Sequence, residues 1–126
     1  MSRHSLGQRA SALILFLLAQ KETNVLMIDQ PEDDLDNQTI YEEVITEIIK
    51  LKPQMQFIFA THNANIPVLG ESEKVVACDF ENGESIKLKD GSIDTPDIQK
   101  AIVGIMEGGK IAFNRRRDIY NIWRIN

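Results

Sequence analysis

The chain has 126 residues, 43% hydrophobic and 26% charged, with 19 acidic against 14 basic side chains and a formal net charge of −5. That length suits one domain (1–126) with a real core, the composition excludes a disordered chain, and the charge offers no global attraction for nucleic acid. A single cysteine, Cys78, rules out an internal disulfide and fits a reducing, cytoplasmic setting.

From the start, Ser5-Leu6-Gly7-Gln8 has the S-x-x-Q form of a capping box, which predicts a helix over 5–20. Its residues Ala10, Leu13, Ile14, Leu17 and Leu18 make it apolar nearly all round, the pattern of a buried helix. The strongly apolar run within it, Ala12 to Ala19, is too short to span a bilayer. Arg3 and His4 precede it but no small-residue cleavage site follows, which argues against a signal peptide. Gly7 admits close approach to the backbone, and free N–H groups beside Arg3 and Arg9 would suit an anion.

After a polar turn at Lys21 to Asn24, Val25-Leu26-Met27-Ile28 reads as a buried strand ending in Asp29. Gln30 and Pro31 turn the chain into Glu32, Asp33, Asp34 and Asp36. Five carboxylates in eight positions repel one another, and a fold that keeps them together usually supplies a cation. Asp36 or Asn37 caps a helix running to about Lys52, where Pro53 stops it. Ile40, Val44 and Ile48, with Tyr41 and Ile45, form its apolar stripe, while Lys50 and Lys52 suit its C-terminal dipole. Gln56 to Ala60 reads as a second strand, ending at Thr61-His62-Asn63. Strand, helix and strand at this spacing make a parallel βαβ unit, so Asp29 and His62 share one sheet edge.

A turn or short helix around Ile66 to Leu69 leads to a third strand, Lys74 to Cys78. Asn82-Gly83 signals a hairpin into Ser85 to Lys89, and Asp90-Gly91 turns the chain again. Thr95-Pro96 opens a helix carrying Ile98, Ala101, Ile102, Ile105 and Met106 on one side, which Gly108-Gly109 ends. A last helix, Ala112 to about Ile122, sets Arg115, Arg116 and Arg117 beside an aromatic stripe of Phe113, Tyr120 and Trp123. Gly104 to Lys110 satisfies G-x-x-x-x-G-K, the phosphate-loop pattern, but Ile111 stands where Ser or Thr would reach magnesium, and the preceding residues have helical period. These glycines read as a helix stop.

Three pieces in fixed order, S-L-G-Q-R, V-L-M-I-D-Q-P-E-D-D-L-D and T-H, resemble the C-terminal half of an ABC-type ATPase head. The likeness is to the chromosome-maintenance and recombination-repair group, and to AAA-like ATPases attached to PHP-type phosphoesterase domains. It covers Ser5 to about Cys78, with Ser5 to Gln8 as the signature, 25–29 as the Walker B strand, 33–36 as the D-loop and His62 as the switch histidine. His4 and Leu6 depart from the signature L-S-G-G-Q. The resemblance implies an α/β, partial P-loop NTPase fold: a parallel βαβ core with a C-terminal hairpin and helices, and no phosphate-loop strand.

It also implies roles. Asp29 would hold Mg2+ through water, and His62 would touch the γ-phosphate. Ser5, Gly7 and Gln8 would bind the γ-phosphate of ATP on a partner head, with Asp36 across that interface. The family's general base follows the Walker B aspartate, and here that position is Gln30. Glu32 is the ionisable substitute, as base or water-holder, with Gln30 positioning the water. The missing phosphate loop implies a chain that binds nucleotide weakly and does not hydrolyse ATP alone. The implied partners are the N-terminal lobe or a second head in a homodimer, with nucleic acid reached through the complete protein and no membrane. Two other readings stand beside this one. Asp29, Glu32, Asp34 and His62 could serve a metal-dependent hydrolase or nuclease, or the chain could be a non-catalytic interaction module.

Overall fold

In the computed structural model, which describes residues 12, 14–20, 24–81, 83 and 85–125, the apolar runs flanking the acid cluster pair directly. β1 (Val25–Asp29) lies parallel to β2 (Gln56–Ala60), with Val25 opposite Gln56 and Asp29 opposite Ala60. Side chains alternate along each strand, so the pair has two faces. Leu26, Ile28, Phe57 and Phe59 pack on the core, whereas Val25, Met27 and Ile58 are exposed.

The strands are joined by α1, a helix built from Asn37–Thr39, a π-helical segment Ile40–Ile45, and Thr46–Leu51. Ile40, Val44, Ile45 and Ile48 are its buried side chains. Bonding from i to i+5 brings Val44 and Ile45 to either side of Ile40 one turn on, which leaves Tyr41 outside the stripe and exposed. Lys52 reaches beyond its own helix. Its Nζ donates to the carbonyls of Gly70 (3.2 Å) and Glu71 (2.6 Å), beyond the end of α2 (Asn65–Leu69). Residues 14–18 are helical, with Ile14 and Leu18 in one core with Leu35, Ile66 and the α1 stripe. Phe16 is exposed, so this helix is buried along one side rather than all round. The capping-box residues Ser5 and Gln8, with Gly7, lie outside the described residues.

All of this belongs to the first of two compact units, Met1–Glu71 and Ser72–Asn126. The second opens with an antiparallel hairpin of β3 (Val75–Glu81) and β4 (Ser85–Gly91). Phe80 faces Ile86, Cys78 faces Leu88 and Val76 faces Asp90, and directly opposed residues share a face. Apart from Asp90, that face is apolar and exposed, so Ile86 and Leu88 look outward. Asp90 and Gly91 complete β4 and do not turn the chain. The turn follows at 92–95, and α3 (Pro96–Met106) starts with proline in its first turn and Thr95 at its N-cap. Ile98 and Ile102 of α3 are buried, and Ile98 Cγ1 lies 3.2 Å from the place a Cβ on Gly91 would occupy. Ile105, expected beside them, is exposed.

Gly108 (φ 76°) and Gly109 (φ 91°) are both left-handed and separate α3 from α4 (Gly109–Trp123). A helix precedes the glycine pair, as the helix-stop reading requires. Arg116 closes the end of α3, donating to the Glu107 carbonyl (2.8 Å) and pairing with its carboxylate. No side chain of α4 is buried. Tyr120 and Trp123 pack ring on ring (4.9 Å) but in the open, not in a core. Among the described residues no helix is long and apolar enough to cross a membrane.

Candidate functional site

Parallel strands deliver their carboxyl ends to one edge, the usual place for ligand sites in open α/β sheets. β1 ends there with Asp29, which is exposed, and β2 with Ala60, followed by Thr61 and His62. The Gln30 N–H donates to the Ala60 carbonyl (2.7 Å) and adds one rung beyond the strands. Gln30 then takes a left-handed φ of 47°, an uncommon conformation for any residue but glycine. Pro31 follows as the first residue of a 3-10 turn, Pro31–Asp34. This reversal sends Glu32 back across the edge.

Glu32 Oε1 there faces three donor positions. They are Thr61 Oγ1 at 2.7 Å, the His62 backbone N at 2.9 Å and His62 Nδ1 at 3.2 Å. The Glu32 side chain is only 5% exposed, and its second oxygen, Oε2, is buried with no hydrogen-bond partner. Burial pushes the Glu32 carboxyl up, but the Thr61 hydroxyl, the His62 and Glu32 backbone N–H groups and the His62 ring together hold it below the ordinary glutamate value. His62 itself is 66% exposed beyond this contact.

A polar web supports the edge from behind. The Asn63 N–H donates to Thr61 Oγ1 (3.0 Å), and the Asn65 N–H to Asn63 Oδ1 (3.0 Å). Asn37 Oδ1 accepts from Asn63 Nδ2 (3.0 Å) and Asn65 Nδ2 (3.2 Å), tying the start of α1 to the loop after β2. The sequence reading singles out His62 at this strand end and misses the rest. A run of Thr and Asn is a signal for side chain-to-backbone turns, and this T-H-N-A-N stretch carried it.

The described carboxylates of this run do not converge. Glu32 turns inward, while Asp29, Asp33 and Asp36 are exposed. Asp36 is the N-cap of α1, its carboxylate accepting the Thr39 N–H at 2.7 Å, and that bond holds its carboxyl below the usual aspartate value. The structure thus brings Asp29, Gln30, Glu32 and His62 to one edge, with Asp36 a turn away. Ser5, Gly7 and Gln8 lie outside the described residues. Among the described residues no group of three or more His, Cys, Asp or Glu is placed to hold a metal ion. No protein-family model matches the chain, and no curated protein is significantly similar to it.

Proposed function

We propose that this chain is the C-terminal lobe of an ABC-type ATPase head, serving Mg2+-dependent ATP hydrolysis together with a lobe that carries a phosphate loop. The observation that carries the reading is the shared edge. An acid ends one strand and a histidine follows its parallel neighbour at the same edge, with Glu32 beside that histidine. Such an edge suits phosphoryl transfer, which is catalysed by positioning and charge neutralisation around the phosphates.

Asp29 fits a magnesium role: it is an exposed hard-oxygen ligand at a strand end, and Mg2+ takes one or two carboxylates with waters and phosphate oxygens rather than an all-protein cage. The ion would neutralise phosphate charge there. His62 reaches toward the γ-phosphate from the opposite strand. Glu32, sealed and held low, is a poor proton acceptor, so orienting the attacking water falls to exposed Gln30. Ser5, Gly7, Gln8 and Asp36 would meet ATP held by a second head in a homodimer. The hydrolase reading built on Asp29, Glu32, Asp34 and His62 draws less support, because Glu32 has one oxygen committed and the other sealed.

ATP turnover by the complete protein tests the proposal. Asp29→Asn is expected to bring Mg2+-dependent turnover to background without changing the circular dichroism spectrum; undiminished turnover overturns it. Titrating ATP·Mg2+ against the isolated chain should give affinity weaker than micromolar, strengthened when a phosphate-loop lobe is supplied.

A further inference from the structure

The hydrogen bonds at Glu32 determine where the protons lie on its neighbours. Thr61 Oγ1 already accepts the Asn63 N–H, so its own hydrogen is free to point at Glu32 Oε1. The His62 backbone N–H points at the same oxygen. A proton on Glu32 has no place to go: Oε1 is crowded by donors, and Oε2 is buried with no acceptor beside it. Glu32 is therefore a carboxylate and can only accept. The atom of the His62 ring nearest Oε1 is Nδ1, at 3.2 Å, and a bare nitrogen lone pair facing a carboxylate at that distance would be repelled, which favours a hydrogen on Nδ1.

We infer that Glu32 is a positioning residue that holds His62 in the Nδ1–H tautomer and turns Nε2 outward as a bare acceptor for a protonated oxygen, a water or a hydroxyl. This reverses the tautomer that free histidine prefers. It also changes what His62 offers at the sheet edge. A neutral ring held this way accepts a hydrogen bond at Nε2 and offers no proton there, so its contact with the γ-phosphate would pass through the attacking water that Gln30 also orients, not directly to a phosphoryl oxygen. Carboxylates behind histidines orient rings in the same manner at metal and catalytic sites. The water as partner rests on the ATPase reading above; the tautomer does not.

Nitrogen-15 NMR of the imidazole in the full chain tests the inference directly. The chain has two histidines, and His4→Gln leaves His62 alone. At a pH where the ring is neutral, the expected spectrum shows Nδ1 protonated and Nε2 unprotonated. Glu32→Ala is expected to return the ring toward the Nε2–H form, whereas Thr61→Val, which removes only the neighbouring hydroxyl, keeps the Nδ1–H form. A predominant Nε2–H ring in the otherwise unaltered chain overturns the inference, as does a tautomer that ignores Glu32→Ala. If Glu32→Ala fails to fold, the His4→Gln spectrum alone decides. Neither result depends on ATP turnover, so the tautomer can fail while the ATPase reading stands, and the reverse.

Discussion

At the scale of single residues, Glu32 is the side chain on which the sheet edge depends. Charged hydrogen bonds of this kind contribute about 1.5–3 kcal/mol each, and truncation strands the donors they satisfied. Glu32→Ala is expected to lower the unfolding free energy by roughly 2–4 kcal/mol in urea denaturation. Its pH dependence has a definite sign. The folded carboxyl titrates below the unfolded one, so its stabilisation is complete above the ordinary glutamate pKa of about 4.3 and fades as pH falls through the folded value. The gap between the natural chain and Glu32→Gln should therefore be widest near neutrality and narrow in acid, read as the urea midpoint against pH. The sequence disclosed Asp29 and His62 because a strand end is visible in an apolar run. It did not disclose that Glu32 points inward, because that depends on Gln30 adopting a left-handed backbone that its side chain does not favour.

At the scale of elements, β1 and β2 were legible to the residue and the cap of α1 to one of two neighbours, Asp36 or Asn37, since hydrophobic runs bounded by Asp, Pro and Thr leave little freedom. What failed was the assignment of faces. Val25 and Met27, read as part of a buried strand, and Tyr41 and Ile105, read on apolar helix faces, are exposed, because apolar character says that a side chain can be buried and not that a partner surface exists. Two substitutions test the packing that does exist. Ile45→Ala, at a fully buried site, is expected to cost about 2–5 kcal/mol. Gly70→Ala would set a Cβ 2.4 Å from the Ile66 carbonyl oxygen, at the end of the helix that Lys52 caps. A drop of roughly 1–3 kcal/mol is expected, measured by thermal melting.

At the scale of the whole molecule, the first unit presents, among the described residues, a two-stranded parallel sheet packed on the core through one face, with exposed side chains on the other. Parallel sheets are normally covered on both faces, and their edges are normally paired or blunted. The open face centres on Met27, 72% exposed, with Val25 and Ile58 beside it. Under the ATPase proposal this is where a phosphate-loop lobe would dock. Met27→Lys is then expected to leave the chain's own stability within about 0.5 kcal/mol, as surface changes usually do. The same change should abolish any gain in ATP affinity that a supplied lobe confers. Equal gains with and without the substitution would place the docking elsewhere.

The π-helical segment of α1 makes one deletion inside the helix tolerable. Ile40, Val44, Ile45 and Ile48 stand at i, i+4, i+5 and i+8, one residue too many for a regular α-helix. Removing exposed Glu42 would respace them to i, i+3, i+4 and i+7, the stripe an α-helix buries best. Where most deletions inside a helix throw a core out of phase, this one should restore it, and the shortened chain should fold with its four core side chains still inside.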